Sequence, residues 1–157
     1  EKVLVHEKIA ATFLPLLAAR MADKRVELRG DDAARAVVPS MNPASAADWN
    51  EEYLDLILTV GVVPSLDAAI AWINLHGSHH SDVILSEDEK AQEKFLEQVD
   101  SACVYANAST RFTDGGEFGM GAEIGISTDK LHARGPMALE ELTTYKYVIQ
   151  GNGQIRP

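Results

Sequence analysis

Residues 54–106, LDLILTVGVVPSLDAAIAWINLHGSHHSDVILSEDEKAQEKFLEQVDSACVYA, decide the fold. Leu54 to Val63 is an apolar run rich in β-branched residues and closed by Pro64, which reads as a buried strand. Ser65 follows as a helix cap, and Leu66, Ala69, Ile70 and Ile73 recur at helical spacing. Asp82 to Leu85 is a second short strand. Ser86 with Glu89 three residues on forms a capping box, which predicts a helix to about Val99 with Ala91, Phe95 and Val99 on one face. Ala102 to Ala106 is again apolar and short. Strand, helix, strand, helix, strand is the order of an α/β layer with a mostly parallel sheet.

Upstream, Val3 to Val5 reads as a short strand. From His6 to Ala22 the apolar residues fall at 9, 13, 16, 17 and 21, a helix that Pro15 should kink or whose late first turn it should mark. Arg25 to Arg29 reads as a strand and Asp31 to Val37 as a short helix. Pro39 to Asn50, with two prolines and many small polar residues, is the loosest stretch. Downstream, Pro136 follows Gly135 and is expected to open a short helix to about Leu142. Thr144 to Ile149 alternates aromatic and polar residues and reads as a terminal strand. There are no internal repeats.

A length of 157 residues suits one core, and 46% hydrophobic with 24% charged residues is ordinary for a globular protein. The net charge of −10 argues against nucleic-acid or anionic-membrane partners bound by bulk charge. No apolar run approaches the roughly 18 residues of a membrane span. The single cysteine, Cys103, permits no internal disulfide and suits a reducing cytoplasm. The chain begins at Glu1, without methionine or a basic stretch before an apolar one. No signal peptide is expected, and the start reads as cut, processed or preceded by further residues.

The strongest functional signal is Asn107 to Gly125, NASTRFTDGGEFGMGAEIG. Gly115, Gly116, Gly119 and Gly121 make a loop where backbone N–H groups can approach a ligand. Arg111 adds a planar cation that suits carboxylate or phosphate, and Ser109, Thr110, Gly115 and Gly116 are expected to complete an anion site through hydroxyl and N–H donors. Asp114 would repel an anion and is expected to turn outward or pair with a base. The plain alternative is an ordinary surface loop. Gly119-x-Gly121-x-x-x-Gly125 has one residue too many for a dinucleotide fingerprint and follows a loop instead of a strand. Arg134 is a second candidate cation, or an ordinary helix-end arginine.

Other reactive residues read as structural. His76, His79 and His80 form a cluster without the cysteine or carboxylate that would complete a metal set, so no metal is expected. His6 reads as the end of a strand and His132 as a packed residue. Cys103 lies inside a strand, where burial makes a thiol inert. Glu51 and Glu52 read as the solvated entry to a strand.

NASTRFTDGGEFGMGAEIGIST, followed by KLHARGPMALEELTTYKYV, resembles the C-terminal signature of the γ-glutamyl phosphate reductase family, also called glutamate-5-semialdehyde dehydrogenases, within the aldehyde dehydrogenase superfamily. The resemblance runs from Glu1 to the last residues. It implies an α/β, aldehyde-dehydrogenase-like catalytic domain over residues 1–143, with the loop 107–125 anchoring substrate. Residues 144–157 would be an oligomerisation strand and tail, making a homo-oligomer. It also implies a cytoplasmic enzyme of proline biosynthesis. A cysteine thiolate attacks γ-glutamyl 5-phosphate, phosphate leaves, and NADPH reduces the thioester to glutamate 5-semialdehyde. Glu1-Lys2-Val3-Leu4-Val5-His6 looks like the tail of the run that carries the nucleophile, so the catalytic cysteine is expected just before Glu1, and this chain alone to be inactive. Glu52 matches the carboxylate that binds the nicotinamide ribose, although Leu54 replaces the aromatic found in many relatives. Most of the NADP site would lie upstream. A non-catalytic self-associating or anion-binding module of the same fold is the alternative. A dehydrogenase of another acyl phosphate or aldehyde is a third reading, against which the detail of RFTDGG and KLHARGP stands.

Overall fold

Strand β1 (Lys2–His6) leads straight into helix α1 (Glu7–Asp23), because the His6 imidazole Nδ1 accepts from Lys8 N at 3.1 Å and caps the helix. The computed structural model describes residues 1–157. After α1 come β2 (Glu27–Gly30), α2 (Asp32–Val37), the two-residue β3 (Asn42–Pro43), β4 (Ile57–Val63) and α3 (Leu66–His76). Then follow β5 (Ser81–Ile84), α4 (Glu89–Gln98), β6 (Cys103–Ala106), β7 (Gly125–Ser127) and β8 (Gly135–Met137). Three 3-10 turns lie at Ala47–Trp49, Thr110–Phe112 and Glu140–Leu142.

The main sheet runs β1-β4-β2-β3 and every pair in it is parallel. A second parallel pair is β5-β6, and β7-β8 is antiparallel. The α/β layer predicted from the strand–helix alternation is thus present. Helices α1 and α2 cover the main sheet through Leu14, Ala10, Ala34, Val38 and Met41 packed on Val5 and Val60. A smaller core joins α3, α4 and the β5-β6 pair through Ile70, Phe95 and Val99.

Five expectations change. In α1 the inward face is Ala10, Leu14, Leu17 and Ala18, whereas Ile9, Phe13 and Leu16 of the predicted stripe are exposed. The helix is apolar on two faces, so spacing alone does not choose between them. It also continues through Pro15, which is exposed. Helix α4 starts at Glu89, capped by Asp88, whose carboxylate accepts from Lys90 N at 3.0 Å and Ala91 N at 3.3 Å. Ser86 stands just before that cap, its hydroxyl accepting from Asp88 N at 3.1 Å, and its backbone is tied to Asn107. Its N–H donates to Asn107 Oδ1 at 2.9 Å, and its carbonyl accepts from Asn107 Nδ2 at 2.8 Å.

Gly135 to Met137 form β8, paired with β7 by Ile126 opposite Pro136, and only Glu140–Leu142 turns helically. Residues 144–149 form no strand. Tyr145, Tyr147, Val148 and Ile149 are 73–89% exposed and no neighbouring backbone pairs with them. A strand exists only as a ladder, so an alternating pattern without a partner edge stays irregular.

Only 20 of 157 residues are buried and the chain exposes 11090 Å². A free-standing globular protein of 17.1 kDa exposes about 7,800 Å². Leu131, Leu139, Leu142 and Ile124 belong to the surplus, each more than half exposed. No helix is long and apolar enough to cross a membrane.

Candidate functional site

The loop 107–125 leaves the end of β6 and is pinned at Asn107 and again at Thr113. Asn107, in the left-handed region at φ 52°, ties the loop's start to Ser86 and donates its N–H to Ile84 O at 2.9 Å. Short polar side chains tolerate that conformation best. Further on, the half-buried Thr113 hydroxyl bonds both Ser81 Oγ at 2.7 Å and the Tyr105 phenol at 2.8 Å, and so fastens the loop to β5 and β6. Ser81 Oγ is in turn 2.8 Å from His80 Nδ1.

Between these pins the chain makes a 3-10 turn, capped by Ser109 Oγ accepting from Arg111 N at 3.2 Å. Arg111 is exposed and enters no ion pair. It lines an open recess of about 390 Å³ together with Ser109, Phe112, Asp114 and Glu117. Thr110 adjoins Arg111 in the same turn.

The glycine N–H groups do not serve as the open donors expected of them. Gly115 N donates to Glu123 Oε2 at 2.9 Å, and Gly116 N to Asp114 Oδ1 at 2.7 Å. Glycine is needed at 115 for another reason: a Cβ there would stand 2.2 Å from the Ala122 carbonyl oxygen. Gly119 and Gly121, both at φ 77°, make the reversal that brings Glu123 back. Asp114 does not turn away or meet a base either. It lines the recess, and its Oδ1 accepts from Gly116 N and from Glu117 N at 3.2 Å. Phe112 and Glu117 carry no sequence signal of their own; the fold of the loop brings Glu117 round beside Arg111.

Arg134 is not a free cation. Its Nη1 donates to Asp100 Oδ1 at 2.8 Å and its Nη2 to the Asp100 carbonyl at 3.1 Å. Lys130 bonds the same carboxylate, and His79 Nδ1 donates to the same carbonyl at 2.7 Å. Asp100 therefore holds residues 130–134 against the start of β6. Hydrogen bonds from Lys130 and then Arg134 lower its pKa to about 2. A depressed carboxylate contributes stability above its unfolded pKa and loses it as pH falls through the folded value. Denaturant titrations of the intact protein between pH 4 and pH 2 should show a steeper loss of stability for the wild type than for Asp100→Asn. Equal slopes would overturn this role.

Glu52 lies on the segment that enters β4. It is exposed and its carboxylate has no partner within the chain. The residues around it are held tightly. Glu1 accepts from Tyr53 N at 2.8 Å and Leu54 N at 3.1 Å, and Lys2 donates to the Glu51 carbonyl. The Tyr53 phenol reaches Asp48 Oδ1 and Thr59 Oγ1, each at 2.6 Å. Asp48, 6% exposed, also accepts from Arg29 Nη1, Ser45 N and Ser45 Oγ, each at 2.6 Å. Bonds from Ser45, Tyr53 and Arg29 hold it well below the usual carboxylate range. Burial, then the bond to Asp48, raises the Tyr53 phenol. Leu54 is kept at φ 50°, a strained value for a branched side chain. β1 and β4 are parallel with Lys2 opposite Thr59, so Glu1 and Glu52 lie at the same end of the sheet.

The three clustered histidines diverge. His76 Nδ1 bonds Asn50 Oδ1 at 3.0 Å, whereas His79 and His80 point to Asp100 and Ser81. No group of three or more His, Cys, Asp or Glu side chains is arranged to hold a metal. Cys103 is buried in β6, away from any helix start.

No family model matches the chain. Among curated proteins, the γ-glutamyl phosphate reductase of Clostridium perfringens is 60% identical over 99% of this chain and 38% of its own length. The solved structure of γ-glutamyl phosphate reductase from Thermotoga maritima superposes with a TM-score of 0.98 at 52% identity, covering all of this chain and 38% of that one. A mutant propionaldehyde dehydrogenase from a Clostridium phytofermentans microcompartment shares the fold alone, at 16% identity over 78% of this chain and 35% of its own, with a TM-score of 0.50. The chain spans 38% of the length of the curated relatives it matches first. Over its whole length the chain corresponds to the C-terminal portion of the γ-glutamyl phosphate reductases.

Proposed function

We propose that the intact protein containing this chain is the cytoplasmic oxidoreductase of proline biosynthesis that reduces γ-glutamyl 5-phosphate to glutamate 5-semialdehyde and phosphate. The observation that carries the reading is the match over the whole chain, with Arg111 unpaired on the pinned loop. Residues 1–143 are the C-terminal part of its catalytic domain, and the nucleophilic cysteine lies just before Glu1. NADPH, when bound, supplies the hydride. Within this chain the fitting group is Glu52, a free carboxylate on a rigid segment, which accepts hydrogen bonds from ribose hydroxyls. Glu1, at the same end of the sheet, lies a few residues after the nucleophile, so its clamp on Tyr53 and Leu54 ties the two parts of the site together.

Arg111 holds the anionic end of the substrate, with hydroxyl donors from Ser109 and Thr110 beside it. Gly115 and Gly116 give the loop the shape that places these groups. The exposed surplus of surface is covered by the rest of the polypeptide and by a second subunit, to which residues 144–149 add a strand.

The test is the reverse reaction. Given glutamate 5-semialdehyde, phosphate and NADP, the intact protein should form NADPH, measured by its near-ultraviolet absorbance, and should require all three. Absence of turnover, or turnover without phosphate, would sink this reading. The match to reductases over the whole chain does not favour a non-catalytic self-associating or anion-binding module.

A further inference from the structure

Glu52 has no contact of its own to aim it. Its side chain is exposed and bonds to no other group of the chain, so its direction is set by the backbone on which it stands. That backbone is unusual two residues on. Leu54 is held at φ 50° although its side chain is 84% exposed and gains no packing there. A branched residue leaves the left-handed region unless its neighbours hold it, and such strain collects at functional sites. The holding groups are identifiable. Glu1 accepts from the N–H groups of Tyr53 and Leu54, and the Tyr53 side chain ties the same segment to the sheet.

The Tyr53 phenol has one hydrogen. It goes to Asp48 Oδ1, so at Thr59 Oγ1 the threonine hydroxyl donates to the phenol oxygen. Both partners are fixed. Thr59 is fully buried in β4, and Asp48 also accepts from Arg29 Nη1 of β2 and from Ser45 N and Oγ. The Tyr53 ring lies under Lys2 Nζ at 4.2 Å from its centre and the Arg29 guanidinium at 5.1 Å. Burying a carboxylate costs stability that an apolar side chain would not. What Asp48 provides in return is direction, a bonded point on the sheet for the residue that follows Glu52.

We propose that Tyr53 is a positioning residue for the reduction: its phenol, anchored on Asp48 and Thr59, holds the strained turn at Leu54 and so aims the Glu52 carboxylate at the nicotinamide ribose. This role rests on the reading of Glu52 as the ribose-binding carboxylate, and it names what makes that carboxylate effective. Hydrogen bonds weaken steeply with distance and angle, so a segment relaxed to ordinary extended backbone would carry Glu52 away from the hydroxyls.

The test is NADPH binding to the intact protein, read from nicotinamide fluorescence without turnover. Tyr53→Phe keeps the ring under its two cations and leaves Asp48 with Arg29 and Ser45, so the fold is kept. It should weaken NADPH about fivefold and leave KM for glutamate 5-semialdehyde within about twofold. Thr59→Val removes the other bond to the phenol and should act in the same direction by less. Glu52→Gln should weaken NADPH about 30-fold. The deciding variant combines Glu52→Gln with Tyr53→Phe. If Tyr53 acts through Glu52, the pair binds NADPH as Glu52→Gln alone does, within about twofold, whereas two independent losses multiply. A multiplied loss, an equal change for the aldehyde, or full affinity in Tyr53→Phe would each overturn the positioning role and leave Glu52 in the site. Full affinity in Glu52→Gln would remove Glu52 from the cofactor site, and the role of Tyr53 with it.

Discussion

Arg111→Ala in the intact protein is expected to raise KM for γ-glutamyl phosphate about 100-fold, with KM for NADPH unchanged. The side chain has no other duty: it is exposed, unpaired and outside both cores. Its removal therefore costs the fold little, and the loss falls on ligand binding. Arg111→Lys keeps the charge and loses the fork, so an intermediate KM is expected. Steady-state kinetics with each substrate varied in turn checks both. Unchanged KM and kcat in the alanine variant would remove Arg111 from the site. An equal rise in KM for NADPH would show that the whole site had moved.

Leu14→Ala is expected to destabilise the intact protein by about 3 kcal/mol, in the range of 2–5 for a large side chain lost from a filled core. Leu14 is 0% exposed and packs between β1, β4 and α2, among Val5, Val60, Ala34 and Val38. It is the side chain through which α1 is attached to the sheet, and α1 carries few other buried groups. Leu14→Met conserves volume and should cost less than about 1.5 kcal/mol. Chemical denaturation monitored by circular dichroism reads both. A loss below about 1 kcal/mol for the alanine variant would mean that α1 is held mainly by surfaces outside this chain.

The reading of residues 54–106 held because each element there carries its own local signal. Leu54 to Val63 is apolar and β-branched, and β4 forms at Ile57–Val63. Ser65 caps α3 by accepting from Ala68 N at 3.2 Å, as its position before an apolar helical run implies. Ile70, Phe95 and Val99 are buried, as their spacing predicted. A glycine-rich loop after β6, carrying Arg111, was legible for the same reason: composition acts locally.

Partners far apart in sequence were not legible. Ser86 has the better capping pattern, yet its hydroxyl accepts from Asp88 N, its backbone is tied to Asn107, 21 residues away, and Asp88 caps α4 instead. The N–H groups of Gly115 and Gly116 are donors by composition, but Glu123 and Asp114 take them when the loop closes. Glu117 enters the recess only because Gly119 and Gly121 reverse the chain. In α1 the pattern permits two faces, and contact with Val5 and Val60 selects Ala10 and Leu14 over Ile9 and Phe13.

By itself the sequence determined the α/β order of 54–106 and a glycine-rich loop that carries an arginine. These depend on propensity, period and charge within a few residues. Tertiary structure alone decided which face of α1 is core, which donors of the loop remain open, and that opposite charges share the recess at Arg111. It also left 144–149 without a ladder. Each of these depends on a partner distant in the chain or outside it, and no local pattern encodes where that partner will stand.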